Sequence, residues 1–313
     1  MSETELSGEQ RAAVEATESQ VLVVAGAGSG KTRVLTHRVA HLVDTLGIEP
    51  DRVLVLTYTR KAAAEMRARL IGMLDADRLE GMFIGTIHGW CLKILNEHGF
   101  RIGYRRGVPL TVHRENERSD LVQGVATDLG YLRNGKWRQQ LSMARCLAAV
   151  DGHGAIDSTE LATLVVECGA RRMACNAIDY AHMISECRRL LDMGGIRDTL
   201  RLEHVVVDEV QDVNADQDRL LRRLAPPAHY YAVGDRRQAI YGFRGARPDL
   251  MDTRPGLTVY QLADNYRSVA RIVTAANQLM DASGDQLATH MAAVRAQFET
   301  LGTIDSMNEM VAK

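Results

Sequence analysis

The chain has 313 residues, 46% of them hydrophobic and 25% charged, with 38 Lys and Arg against 40 Asp and Glu. That length can bury a substantial core and leaves room for two domains, while a net charge of −2 supplies no global basic surface, so any affinity for nucleic acid must arise locally. No apolar run approaches membrane-spanning length, the polar start from Met1 to Gln10 is no signal peptide, and five cysteines without paired spacing argue against a disulfide framework or a zinc site, so a cytoplasmic α/β protein with no membrane partner is expected.

In chain order, Gln20 to Ala25 reads as a buried strand, and Leu35, Val39, Leu42 and Val43 recur at helical spacing after it. Arg52 to Thr57 is a second strand, Arg60 to Leu70 a run of strong helix formers, and Met82 to Thr86 a third strand leading into a helix through Trp90, Cys91, Ile94 and Leu95. From 98 to 173 the pattern turns helical, without convincing strands. Strand patterns return at Val205 to Val207, Tyr230 to Val233 and Leu257 to Gln261. The expectation is an α/β domain over 1–97 and 174–280, an inserted helical subdomain over 98–173, and a short helical tail over 281–313. In that tail Leu287, Met291, Val294, Phe298 and Leu301 alternate at four and three, either a helix packing on its own domain or a docking helix for a partner chain.

Two segments carry chemistry. Ala25-Gly26-Ala27-Gly28-Ser29-Gly30-Lys31-Thr32 joins the first strand to a helix, the arrangement of a phosphate-binding loop, with Ala25 where the pattern usually has its first glycine. Its glycines let backbone N–H groups turn toward phosphate oxygens, Lys31 reaches the β- and γ-phosphates of ATP, and the Thr32 hydroxyl ligates Mg²⁺. Val205 to Val207 delivers Asp208 and Glu209 at a strand's carboxyl end, where open α/β sheets place their ligands and where a divalent cation offsets the repulsion of paired acids. Asp208 is then the Mg²⁺ ligand and Glu209 the general base toward water.

The ordered segments resemble UvrD/Rep-type superfamily 1 DNA helicases. Leu6 to Gln10 resembles the Q motif, Ala25 to Arg33 motif I, and Leu56 to Met66 motif Ia, with Arg60 where Asn is common. Gly85-Thr86-Ile87-His88 resembles the next DNA-contact motif, and Asp208-Glu209-Val210-Gln211-Asp212 resembles motif II. Gly234 to Gly245 resembles motif III and Asn265-Tyr266-Arg267-Ser268 motif IV. The resemblance implies a RecA-like P-loop NTPase domain with a parallel sheet, interrupted by the helical insertion, and an ATP-dependent 3′→5′ DNA helicase or translocase. It implies that Gln10 reads the adenine edge, Tyr266 stacks on the base and Arg33 adds a nucleotide contact. Arg244 and Arg267 would meet the γ-phosphate, and Gln238 would couple it to DNA. Thr57, Thr86 and His88 would contact the backbone of single-stranded or partly duplex DNA, and Tyr58, Tyr241 and Phe243 its bases. Arg101, Arg105 and Arg106 either extend a phosphate track or solvate a helical face.

Family members carry a second RecA-like domain after motif IV, with motifs V and VI. About 45 residues follow Ser268 and contain neither, too few for a domain of ~100 residues. The expectation is therefore the first motor half, completed in another chain or represented alone. Two alternatives are a naturally short ATP- and DNA-binding subunit or regulator without unwinding of its own, and a small-molecule kinase. Motif III and the Gln211-Asp212 extension argue against the kinase.

Overall fold

Strand β1 (Gln20–Ala25) is buried along its whole length, and that fixes its place, because only a strand covered on both faces reads as a continuous apolar run. The computed structural model describes residues 5–138, 141–152, 154–225, 228–283 and 291–294. Helix α1 (Gly8–Val14) precedes β1, and α2 (Lys31–Ala40), β2 (Val53–Thr57), α3 (Arg60–Ile71), β3 (Phe83–Thr86) and α4 (Ile87–His98) follow. Next come β4 (Thr111–His113), α5 (Glu115–Asp128), β5 (Leu132–Arg133), β6 (Lys136–Trp137), α6 (Met143–Val150) and α7 (Thr159–Ala174). The chain continues through β7 (Ala177–Asp179), α8 (Tyr180–Asp192), α9 (Ile196–Leu200), β8 (His204–Val207), α10 (Ala215–Leu224) and β9 (His229–Gly234). It closes with β10 (Thr258–Leu262), β11 (Asp264–Asn265), α11 (Ala270–Ser283) and β12 (Ala292–Ala293).

Six strands form one parallel sheet in the order β10-β1-β9-β8-β2-β3. Val21, Val23 and Ala25 share a core with Val34, Leu35 and Val39 of α2 and with Met66 and Leu70 of α3. Each such aliphatic side chain contributes roughly 1.5–3 kcal/mol on burial. Thr59 caps α3, its hydroxyl oxygen accepting from the Ala62 amide at 3.1 Å. The carboxyl ends of β1, β8 and β9 are neighbours, so residues leaving those three strands emerge together.

The chain divides into two compact units. One holds residues 1–84, 203–214 and 228–313, and the other 85–202 and 215–227. The second unit is thus wider than the expected insertion over 98–173. The reason is packing: α4 buries Trp90, Cys91, Ile94 and Leu95, and α8 buries Met183, Ile184, Cys187, Leu190 and Leu191, and the two helices lie in contact inside that unit. Its helical core joins α5, α6 and α7 through Val122, Val125, Cys146, Ala149, Leu161 and Leu164. The region expected to lack strands contains short ones: β4, which pairs in parallel with β7 just beyond that region, and β5 and β6, which pair antiparallel. Pieces of two or three residues are too short to give an alternating apolar pattern.

The tail also departs from the expected helix. Helix α11 runs to Ser283, and β12 pairs in parallel with β11, so Met291 and Val294 flank a strand. Leu287, Phe298 and Leu301 lie outside the described residues. No helix among those described is long and apolar enough to cross a membrane.

Candidate functional site

The loop after β1 begins where the strand's last residue, Ala25, is fully buried. Gly28 and Gly30 hold φ of +79° and +90°, a region where a side chain would be strained. Neither has room for one. A Cβ at Gly30 would come 2.8 Å from Gln10 Nε2, and one at Gly28 would come 2.7 Å from the Arg267 Cβ. Ser29 folds back, its hydroxyl donating to Gly26 O at 2.8 Å. Lys31 and Thr32 open α2, which has no side-chain cap, so its first N–H groups remain available to an anion.

Gln10 reaches this loop from α1. Its Oε1 accepts from the Ser7 amide at 3.1 Å and its Nε2 donates to Ser29 O at 3.0 Å, leaving one N–H and one lone pair of the amide. On the other side, Asn265 Nδ2 donates to Ala27 O at 2.6 Å and the Tyr266 amide donates to Gly28 O at 2.9 Å. Tyr266 is thereby fixed at the loop, with its hydroxyl donating to Asp264 Oδ2 at 3.1 Å.

A hydrogen-bonded circuit joins the loop to the paired acids. Lys31 Nζ donates to Gln238 Oε1 at 2.8 Å, and Gln238 Nε2 donates to Asp235 Oδ2 at 2.9 Å. The Asp235 amide donates to Gln211 Oε1 at 3.0 Å, and Gln211 Nε2 donates to Glu209 Oε2 at 2.7 Å. Glu209 itself sits at φ +48°, a left-handed conformation that costs a non-glycine residue about 1 kcal/mol and is typical of sites where geometry is imposed. The Asp208 carboxylate accepts from the Glu209 amide at 3.0 Å.

Burial, reinforced by the charge of Glu209, pushes the carboxyls of Asp208 and Asp212 up to about 6. Asp212 Oδ1 and Arg33 Nη2 are buried without a hydrogen-bond partner. A buried carboxylate oxygen and a buried guanidinium N–H without partners are costly, and both fit a site whose remaining partners are a cation with its water and an anionic ligand. A carboxylate such as that of Asp208 and a hydroxyl such as that of Thr32 are hard oxygen donors of the kind Mg²⁺ takes, usually alongside substrate phosphates.

Other expected residues fall elsewhere. Arg244 places its guanidinium 5.4 Å from the Tyr241 ring centre and 5.5 Å from that of Phe243, so it belongs to an aromatic cluster in this structure rather than to the loop. Tyr58 stacks on Tyr241 with centroids 4.6 Å apart, and Tyr241 lies 5.9 Å from Phe243. Phe243 is 80% exposed, which excludes core packing as its role. Thr57 is buried, and its hydroxyl donates to Thr59 O at 3.0 Å, so it does not face outward as a backbone contact would.

Thr86 and His88 belong to the second compact unit. Thr86 caps α4 by accepting from the Gly89 amide at 3.1 Å, and its O–H remains a donor. Burial holds the His88 imidazole below its ordinary range, hence neutral. Tyr180, 52% exposed, meets His88 edge-on at 5.5 Å; nothing in the local pattern of the sequence singled it out. Asp235, Gln211 and Asn265 lie within motif segments, and only the fold reveals their partners.

The model of the UvrD/REP helicase N-terminal domain matches residues 6–255. The chain is similar to the ATP-dependent DNA helicase UvrD1 of Mycobacterium tuberculosis, 35% identical over 305 residues that cover 88% of this chain and 39% of that protein. It is 32% identical to the ATP-dependent DNA helicase PcrA of Leuconostoc citreum, covering 90% of this chain and 40% of that protein. Against the PcrA of Staphylococcus aureus it is 29% identical, covering 97% of this chain and 44% of that protein. The chain therefore spans about two fifths of the length of these relatives. With a phosphate-type loop, paired acids and an exposed aromatic cluster on one parallel sheet, and with that match over 250 of 313 residues, the chain belongs to the UvrD/REP helicase N-terminal domain family.

Proposed function

We propose that this chain binds Mg²⁺·ATP and single-stranded DNA and hydrolyses ATP in response to DNA, as the first motor domain of a 3′→5′ DNA helicase or translocase. The observation that carries the reading is the circuit from Lys31 through Gln238, Asp235 and Gln211 to Glu209. It ties the loop that would hold phosphate to the acid that would activate water. Residues 1–97 and 174–280 are read as the ATP-binding domain, 98–173 as the helical insertion, and 281–313 as a tail of separate role. The cytoplasm is the matching compartment.

In this reading the backbone N–H groups of Ala27 to Thr32 cradle the phosphates, and Lys31 exchanges Gln238 for the β- and γ-phosphate oxygens. Thr32 and Asp208 would hold Mg²⁺, which when bound neutralises charge on the phosphates. Glu209 accepts a proton from water as its oxygen bonds to the γ-phosphorus and the bond to the β-bridging oxygen breaks. Gln238, freed from Lys31, reports the γ-phosphate to the Tyr241–Phe243 segment three and five residues on. Arg267 and Arg33 complete the nucleotide contacts, with Gln10 and Tyr266 toward the base. Arg244 serves the γ-phosphate only if it leaves its two aromatic rings, so it is assigned there as a moving contact.

Tyr58, Tyr241 and Phe243 supply stacking surface for bases, worth about 1–3 kcal/mol per base, and Thr86 and His88 offer polar contacts to the strand. A second reading keeps ATP and DNA binding but assigns unwinding to a partner chain that supplies a second motor domain. ATP hydrolysis by the purified chain, measured with and without single-stranded DNA, tests both: stimulation lost in Lys31→Ala and in Glu209→Gln supports the first, and nucleotide binding without turnover supports the second. No binding of ATP would overturn both.

A further inference from the structure

The phosphate-binding loop is braced from behind by a segment far along the chain. Pinning Ala27 O to Asn265 Nδ2 at 2.6 Å turns the Gly28 N–H to the opposite side, because C=O and N–H of one trans peptide point in opposite directions. The Tyr266 amide holds Gly28 O in the same way. Asn265 is therefore the residue that sets which way this part of the loop faces, and its Oδ1 is committed to the amides of Arg267 and Ser268 at 3.0 and 2.7 Å.

Asn265 is in turn held by Met291 to Val294. The Val294 amide donates to Asn265 O at 3.0 Å and the Ala292 amide to Ala263 O at 2.8 Å. Asn265 Nδ2 also lies 3.7 Å from Met291 Sδ, and a Cβ at Gly26 would overlap that same sulfur. Met291 thus touches both the loop and its anchor. Its own backbone is seated by Asn277 of α11: Asn277 Nδ2 donates to Met291 O at 2.8 Å and Oδ1 accepts from the Met291 amide at 3.1 Å. One side-chain amide here pairs both polar groups of a peptide residue, as a neighbouring strand would.

We infer that Asn277 and Met291 are positioning residues for the nucleotide site, acting through Asn265 to hold the loop in its phosphate-accepting shape. The inference rests on the reading of the loop as an ATP site and adds that the site includes the strand after α11. By linkage, a segment whose seating favours ATP binding must itself be seated more firmly by ATP.

The test uses the full chain with Mg²⁺·ATP as probe, by calorimetric titration, and hydrogen exchange at the Ala292 and Val294 amides with and without ATP. Asn277→Ala should weaken ATP binding about tenfold, the loss expected from two hydrogen bonds, raise KM with kcat nearly kept, and abolish the slowing of exchange that ATP produces at those amides. Met291→Leu, which conserves volume, should bind like the original chain. Should Asn277→Ala fail to fold, Met291→Ala, which leaves both backbone bonds and empties the space beside Gly26, is read in the same way. Unchanged affinity in a folded Asn277→Ala, or exchange at Ala292 and Val294 indifferent to ATP, overturns the inference while leaving the ATP site standing. Absence of ATP binding by the original chain, with Lys31→Ala no different, removes the site and the inference together.

Discussion

Lys31 Nζ donates a 2.8 Å hydrogen bond to Gln238 Oε1, across 207 positions of sequence. The cation that would meet phosphate is thus held by the side chain that would sense it. Gln238→Ala should leave ATP affinity within a few-fold and remove about tenfold or more of the stimulation by single-stranded DNA, because no side chain is then left to report the γ-phosphate to the aromatic segment. Lys31→Ala should instead abolish turnover outright, by a factor on the order of 10² or more. Steady-state ATPase rates with and without DNA separate the two, and equal DNA stimulation in Gln238→Ala would show that the glutamine couples nothing.

Glu209 combines a chemical role with a left-handed backbone. Glu209→Gln should retain ATP binding and lose turnover by roughly 10²–10⁴-fold. Glu209→Gly should lose turnover equally and gain about 1 kcal/mol of unfolding stability, since glycine takes φ +48° without strain. Denaturant melts alongside ATPase assays read both, and a destabilised glycine variant would mean that the side chain's bond to Gln211 outweighs the backbone strain.

The raised carboxyl of Asp208 gives a pH signature with a definite sign. Its value of about 6 lies above the ordinary 3.8, so without metal its contribution to stability is full below pH 4 and is lost as pH rises through 6. Asp208→Asn should match the original chain near pH 4 and exceed it at pH 7, by on the order of 3 kcal/mol. Mg²⁺ would oppose that loss by binding the ionised form, so the affinity for Mg²⁺·ATP should fall as pH drops below about 6. Thermal melts across pH 4–8, with and without Mg²⁺, carry the test, and an affinity flat through pH 6 would exclude Asp208 as a ligand.

Phe243 is 80% exposed and its removal should leave the fold alone. Phe243→Ala is expected to shift the thermal midpoint by less than about 2 °C and to weaken binding of an oligothymidine by about 1–3 kcal/mol. Fluorescence anisotropy against salt concentration checks this, and undiminished affinity would remove Phe243 from the DNA-binding surface.

The loop from Ala25 to Thr32 and the acids at 208 and 209 were legible because each is a local requirement: glycines where backbone must face a ligand, carboxylates at a strand tip. The parallel sheet was legible through the apolar runs Val21 to Ala25 of β1 and Val205 to Val207 of β8. The Gln211–Asp235 link was not, since the partners are 24 positions apart and meet only because β8 and β9 are neighbours. The motif places Arg244 at the phosphate, but the rings of Phe243, one position before it, and Tyr241, three before it, offer a nearer partner. Met291 and Val294 fitted a helical spacing by chance of composition, because β12 is two alanines long and carries no alternation of its own. The apolar stripes of α4 and α8 each call for a partner helix without naming it, so their pairing inside one compact unit is visible only in the fold.

Strand β1 occupies positions 20–25, yet its two neighbours are β9 at 229–234 and β10 at 258–262. During synthesis, which runs from the N-terminus, the strand that carries the phosphate loop waits for most of the chain before either edge is paired. Competence for ATP should therefore be a late event in biogenesis, arriving only once residue 262 can fold. A nascent chain stopped at 255 would contain both chemical motifs in full and still leave one edge of β1 open, a template for aggregation rather than a nucleotide site.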